Sequence, residues 1–303
     1  MIARFRHVAK WYGAVIGLVD ADVEIGPGVT GLLGPNGAGK STFLKLLTGQ
    51  LRPSQGEVRL LGANPYTTAA VHGRIGFAPE PDAFYEDWTG RAFVTFLVRL
   101  HGFGRAEAAR RADEALDAVG LSDVAGRKIR TYSKGMRQRV KIAQALAHDP
   151  EVLVLDEPLT GMDPLWRRRL MDLLKKLGAR GVTVIVSSHI LHEVEAMTDT
   201  FILLFQGRVR ASGSRGEIRA FLSDVPHRIR VGTPRPKDLA RALLDLPGTL
   251  AVRLDDEGVS VETTAPDTLF DTLPALVLDR ELPVTELREA DTDLDAIFGY
   301  LVG

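Results

Sequence analysis

The run Gly34-Pro35-Asn36-Gly37-Ala38-Gly39-Lys40-Ser41-Thr42 fits the pattern G-x-x-x-x-G-K-[ST] and constrains the chain more than any other stretch. Each residue type has a physical task. The glycines let the backbone wrap a polyphosphate without a Cβ in the way. The turn aims successive N–H groups inward, and a helix starting near Lys40 adds the positive end of its dipole. Lys40 reaches the β- and γ-phosphates, and the Ser41 hydroxyl takes Mg²⁺. The flanks agree: Val29-Thr30-Gly31-Leu32-Leu33 reads as a buried strand, and Phe43-Leu44-Lys45-Leu46-Leu47 as a helix.

A length of 303 residues predicts roughly two domains, with ordinary globular proportions of apolar and charged residues. The net charge of −1 gives no reason to expect a nucleic acid or an anionic membrane as partner. The balance is uneven along the chain. From Asp224 onward 8 basic residues face 16 acidic ones, against 30 and 23 before it. The absence of cysteine excludes disulfides, iron–sulfur clusters and thiolate zinc sites. No apolar run approaches the ~18 residues of a membrane span, and Met1-Ile2-Ala3-Arg4-Phe5-Arg6 lacks a signal-peptide core. The expectation is a soluble, cytoplasmic chain.

Short strands are predicted over 4–10 and 15–25, joined by Trp11-Tyr12-Gly13, and at 29–33, 55–61 and 75–78, the last stopped by Pro79. From about Thr89 to Ala147 apolar spacing becomes helical, in segments 91–101, 105–119 and 133–147. Strands return at 152–155, 182–186, 200–205 and 208–211, with helices at 164–177 and 191–197 between them. This alternation implies an α/β fold: a mostly parallel sheet with helices on both faces and a helical subdomain over about 89–147. The first domain is drawn as 1–222, with a helix over 217–222, and 223–226 as linker. Residues 227–303 read as strand (227–231), helix (237–246), strands (249–254 and 259–263), helix (267–278), strand (282–288) and helix (292–302), a ferredoxin-like order. There is no internal repeat or low-complexity tract.

Val152-Leu153-Val154-Leu155-Asp156-Glu157 is an apolar strand ending in two carboxylates. Downstream of a phosphate loop, the first acid holds Mg²⁺ and the second polarises an attacking water as general base. With these residues in place, positions 1–220 resemble the nucleotide-binding subunit of an ATP-binding cassette (ABC) transporter. The resemblance implies the fold of a P-loop NTPase cassette with an antiparallel N-terminal β subdomain. Tyr132-Ser133-Lys134-Gly135-Met136 stands at the family signature, usually Leu-Ser-Gly-Gly-Gln; Tyr132, Lys134 and Met136 depart from it, while Ser133 and Gly135 remain. Ser133 suits a helix cap and Gly135 a close approach to phosphate. Thr160-Gly161-Met162-Asp163-Pro164 resembles the family's D-loop, which makes Asp163 a nucleotide-side residue. Val186-Ser187-Ser188-His189 resembles the switch region, with His189 as γ-phosphate sensor. Tyr12 resembles the aromatic that stacks on adenine, with Trp11 the competing candidate. Glu80 stands where the family usually has a Gln that links Mg²⁺ and the attacking water to the contact with the membrane partner; exporter-type cassettes often carry Glu there together with a Ser-Lys-Gly-Met signature.

The resemblance implies an exporter-type transport ATPase. Two cassettes sandwich two ATP molecules, each between one copy's phosphate loop and the other's signature helix, and drive a separate integral membrane permease. The chain itself is then cytoplasmic, held at the inner face of the membrane by that permease. Phe84-Tyr85-Glu86-Asp87-Trp88-Thr89 would face a permease helix or belong to the helical core. The alternative is a cassette acting on a nucleic-acid or ribosomal partner. Those carry long coiled-coil insertions or two cassettes per chain, features this sequence lacks. A non-hydrolysing regulatory subunit is opposed by the joint presence of Lys40, Ser41, Asp156, Glu157 and His189. Residues 227–303, without phosphate loop or nucleophile–base pair, read as an accessory module that regulates or stabilises the dimer. Its stretch 294–301 is a candidate contact. The sequence does not specify the cargo.

Overall fold

Strands buried on both faces read as near-continuous apolar runs, and three such segments, Val29–Leu33, Val152–Asp156 and Thr183–Ser188, lie side by side in one sheet. The structure, a computed structural model, describes residues 1–215, 217 and 227–289. The chain divides into two compact units, Met1–Arg215 and Gly216–Gly303. In chain order the first contains β1 (Ala3–Tyr12), β2 (Val15–Ile25), β3 (Val29–Leu33), α1 (Lys40–Leu47), β4 (Gln55–Leu60), the single turn α2 (Ala69–His72), β5 (Ile75–Ala78), α3 (Gly90–Leu100), α4 (Arg105–Ala118) and α5 (Lys134–Leu146). It continues with β6 (Val152–Asp156), α6 (Pro164–Ala179), β7 (Thr183–Ser188), α7 (Leu191–Glu195), β8 (Thr200–Phe205) and β9 (Arg208–Ser214).

The main sheet runs β5-β6-β7-β3-β8-β9, parallel except for the edge strand β9. A smaller antiparallel sheet runs β2-β1-β4. Helix α1 packs between the two. Its Phe43, Leu44, Leu46 and Leu47 are buried in a cluster drawn from both sheets, and Phe43 stacks on Phe5 at 4.2 Å. Full burial of each such side chain contributes about 1.5–3 kcal/mol, so the helix that follows the phosphate loop is firmly seated.

Helices α3, α4 and α5 form the predicted helical subdomain. Thr89 caps α3, its Oγ1 accepting the Ala92 N–H at 3.1 Å. Helix α4 is closed by Gly120 at φ +64°, where a Cβ would collide with the Trp166 ring of α6.

The second unit contains β10 (His227–Gly232), α8 (Pro236–Leu244), β11 (Thr249–Leu254), β12 (Gly258–Thr263), α9 (Pro266–Asp279) and β13 (Glu286–Glu289). Its antiparallel sheet runs β11-β12-β10-β13, a split βαβ arrangement. Ile229, Val231, Val259 and Val261 point from the sheet into a core with Leu239, Leu243, Leu269 and Leu273.

Some boundaries differ from expectation. Trp11 and Tyr12 continue β1 rather than forming the turn, because both still pair across β2, with Ile16 and Val15. Strand β9 reaches Ser214, since Gly213 and Ser214 stay in register with Phe201 and Thr200. Strand β13 starts at Glu286, not 282: Leu282 donates its N–H to Val277 O at 2.9 Å and closes α9, and Pro283 has no N–H for a ladder. The segment 218–222, the linker 223–226, the terminal helix 292–302 and the stretch 294–301 lie outside the described residues.

One buried group in the first unit makes stability depend on pH. His148 is 8% exposed, hydrogen-bonds Ile75 O through Nε2 at 3.0 Å and stacks on His101 at 3.8 Å. A carbonyl partner makes Nε2 the donor, so Nδ1 is a bare acceptor, buried without a partner. Burial first, and the His101 ring second, hold its pKa down from the usual 6.5 to about 4. Full stability stands above pH 6.5 and is lost as pH falls towards 4, because the unfolded chain takes a proton that the folded chain refuses. The total effect is about 3 kcal/mol. Urea midpoints measured from about pH 7.5 down to about pH 5 should fall for the wild type and fall less for His148→Gln; parallel curves would remove His148 as the cause.

Candidate functional site

Strand β3 delivers the loop 34–42 to the carboxyl end of the parallel strands, where ligands of such sheets bind. Two glycines are required by geometry. A Cβ at Gly34 would collide with the Leu204 carbonyl, and Gly39, at φ +105°, would place one 2.6 Å from the Gly17 carbonyl. Gly39 occupies the N-cap of α1 and offers no side-chain cap. The first N–H groups of that helix are thus left for a ligand, unlike those of α3, α5 and α6, which Thr89, Ser133 and Asp163 cap. Lys40 is 7% exposed; its Nζ donates to Gly34 O at 2.7 Å and Pro35 O at 3.3 Å.

The acidic pair ends β6. Asp156 and Glu157 are both buried, and Glu157 sits at φ +49°, a left-handed conformation uncommon outside glycine. Ser187 on the neighbouring β7 secures both. Its Oγ donates to Asp156 Oδ1 at 2.5 Å and accepts the Glu157 N–H at 2.9 Å. Gln138, buried on α5, donates to the Glu157 carbonyl at 3.3 Å. The Glu157 carboxylate is shared: His189 Nδ1 lies 2.9 Å from Oε2, and Lys40 Nζ lies 3.2 Å from Oε1. The Lys40 contact is an ion pair without hydrogen-bond alignment, since Oε1 is otherwise buried and unpartnered.

Lys40, Asp156 and Glu157 border a cavity of about 510 Å³, whose lining does not include His189. Loop residues Pro35, Asn36, Gly37, Ala38, Gly39, Lys40, Ser41 and Thr42 form its floor, and Glu80, Asp156 and Glu157 its acidic side. Tyr12, Val15 and Ile16 form an apolar wall. Of the two competing aromatics, Tyr12 lines the cavity, its hydroxyl 3.3 Å from Thr42 Oγ1; Trp11 does not, and its backbone N–H donates to Ser54 Oγ at 3.2 Å. A Cβ at Gly17 would lie 2.7 Å from the Tyr12 ring, so that glycine makes room for it.

Ser133, Gly135 and Asp163 stand outside this cavity. Ser133 Oγ accepts the Met136 N–H at 3.2 Å at the start of α5, and Asp163 Oδ1 accepts the Trp166 N–H at 3.0 Å at the start of α6. Gly135 serves packing within the chain as well, since a Cβ there would sit 3.1 Å from Gly161 O. Tyr132, the departure from leucine, is buried, and its hydroxyl donates to Val124 O at 2.7 Å. Burial pushes that phenol's pKa up. Sequence reasoning missed Ser187 as a brace and Gln138 altogether. Ser187 had a signal in its place beside the switch histidine; Gln138 had none.

The family described as ABC transporter matches residues 18–160. The chain is 31% identical over 299 residues, 98% of its own length and 91% of the relative's, to the daunorubicin/doxorubicin resistance ATP-binding protein DrrA of Streptomyces peucetius. It is 37% identical to a Nod factor export ATP-binding protein of Burkholderia orbicola, over 69% of this chain and 70% of that one. An uncharacterized ABC transporter ATP-binding protein of Nostoc sp. is 44% identical over 67% of this chain; there the match spans 62% of the relative's length. Among solved structures, a dimeric post-hydrolysis state of an ATP-binding cassette bound to ADP and Pi superposes with a TM-score of 0.66 at 26% identity, covering 70% of this chain and 98% of that one. Phosphate loop, acidic strand, fold and relatives converge, and the chain belongs to the family of ABC transporter ATP-binding proteins.

Proposed function

We propose that this chain hydrolyses ATP as one half of a cassette dimer and so powers an exporter-type permease. The observation that supports the reading is the cavity in which Lys40 and Glu157 meet at the phosphate loop, with His189 on the other oxygen of Glu157. The donors there also fit Mg²⁺. Ser41 hydroxyl and the Asp156 and Glu80 carboxylates are oxygen ligands of the kind a hard cation takes, and all three line the same cavity. When bound, Mg²⁺ would be held by these three residues and would neutralise charge on the phosphates.

The protein's own part follows from its charges. Lys40 is held by two carbonyls and Glu157, and an incoming γ-phosphate competes for the same ammonium. Release of Lys40 leaves Glu157 a free lone pair to accept a proton from water, as general base. His189 holds the carboxylate on its other oxygen; its part as γ-phosphate sensor rests on its place in the segment Val186-Ser187-Ser188-His189. Ser133 and Gly135, outside this cavity at the start of α5, complete the site on a second copy, together with Asp163 at the start of α6. No described helix is long and apolar enough to cross a membrane; the proposed function adds a separate permease, which would hold this subunit at the inner face of the membrane. Tyr85 and Trp88, exposed and in ring contact at 4.7 Å, are the proposed contact for it. Export rests on the Glu80 and Ser-Lys-Gly-Met pattern together with the Nod factor export relative. Residues 227–303 are proposed as an accessory module that regulates or stabilises the dimer.

Two measurements test these roles. Tyr12→Ala should weaken ATP binding roughly tenfold or more, the value of a lost base stack, while Trp11→Ala leaves it near wild type; the reverse order in a calorimetric titration would exchange their roles. Glu157→Gln should retain ATP affinity, lower turnover by about 100-fold or more and accumulate an ATP-bound dimer on size exclusion. Near-native turnover by that variant would remove Glu157 as the base.

A further inference from the structure

Helix α5 carries Arg137, Lys141 and Gln144, with His148 just beyond its end, spaced four, three and four residues apart. That spacing places them in one stripe along the helix. The stripe lies along β5, the edge strand of the main sheet, and the loop that follows it. His148 reaches Ile75 O at 3.0 Å, and Gln144 Nε2 donates to Phe77 O at 2.7 Å. Lys141 Nζ donates to Glu80 O at 2.6 Å and pairs with Asp82 at 3.1 Å. Arg137 clasps Glu86 through both oxygens, at 2.5 and 2.7 Å. The helix backbone comes close enough that a Cβ at Gly76 would collide with the Ala145 carbonyl.

Lys141 is the member that bears on the chemistry. It is 4% exposed, and a buried ammonium holds its place only against oxygen partners. One of those partners is the main-chain carbonyl of Glu80, whose carboxylate borders the nucleotide cavity. The same helix begins at Ser133. We propose that Lys141 is a positioning residue: it fixes the Glu80 main chain to α5, so that the Glu80 carboxylate and the signature helix move as one body. This rests on the metal-side role proposed for Glu80. What it adds is the anchor, the buried ammonium that ties this position to α5.

The test uses the full chain with Lys141→Met, which keeps the stem and removes the donors, and Lys141→Arg, which restores a cation. Amide exchange in nucleotide-free protein should accelerate over residues 79–88 in Lys141→Met, with β3 and α1 unchanged, and return towards wild type in Lys141→Arg. The Mg²⁺ concentration for half-maximal turnover should rise about tenfold in Lys141→Met, the usual effect of losing a group that orients a metal ligand. Glu80→Ala should shift it similarly, and the double variant should be no worse than Glu80→Ala. Native exchange over 79–88 in Lys141→Met overturns the proposal whatever Glu80→Ala does, as do additive shifts in the double variant. Accelerated exchange combined with a native Mg²⁺ curve for Glu80→Ala supports the anchoring by Lys141 and overturns the role given to Glu80.

Discussion

Two opposite charges, Lys40 and Glu157, sit 3.2 Å apart with 7% and 8% of their side chains exposed. Neither group is stable in such a place alone, because an unpaired buried charge is far costlier than a paired one. The surroundings are built to keep both there. Ser187 braces the acids, His189 takes the other Glu157 oxygen, and two loop carbonyls take the remaining donors of Lys40. The pair is also what a polyphosphate would disrupt. An anion in the loop offers Lys40 a stronger partner and frees Glu157 for a proton. In the proposed mechanism binding and readiness for chemistry are linked through one ammonium group.

The rest of the first unit serves that link. Helix α1 is pinned between two sheets by Phe43 and its leucines, which gives the loop a rigid base. Helix α5 touches the site in two ways. Gln138 bonds the Glu157 carbonyl and Lys141 the Glu80 carbonyl, while the helix start at Ser133 remains outside the cavity. One helix therefore braces the acidic side of its own cavity and presents its capped end, and so the site proposed for a second nucleotide, elsewhere.

Local features were legible in the sequence because their causes are local. The phosphate loop declares itself in nine consecutive residues, and β6 in four apolar residues before two acids. Helices α3, α4 and α5 fall within a residue or two of their periodic segments. What stayed hidden depends on distant partners. The choice between Trp11 and Tyr12 needed the pairing that carries β1 past both. Gln138 finds Glu157 across 19 residues, Ser187 finds it across 30, and Lys141 finds Glu80 across 61. No spacing rule reaches so far. Leu282 was misplaced in a strand for a related reason: its burial reads like strand periodicity, whereas its N–H closes α9.

The most direct measurement is complementation across the composite site. Chains carrying Ser133→Arg and chains carrying Lys40→Ala, each also with Glu157→Gln to prevent turnover, are mixed with ATP and followed by light scattering. A mixed dimer has one intact site, formed by Lys40 of the first chain and Ser133 of the second, and one site broken on both sides. The expected result is an ATP-dependent dimer in the mixture and none from either chain alone. If the mixture stays monomeric while Glu157→Gln alone dimerises, ATP is not held between the phosphate loop of one copy and the α5 end of the other.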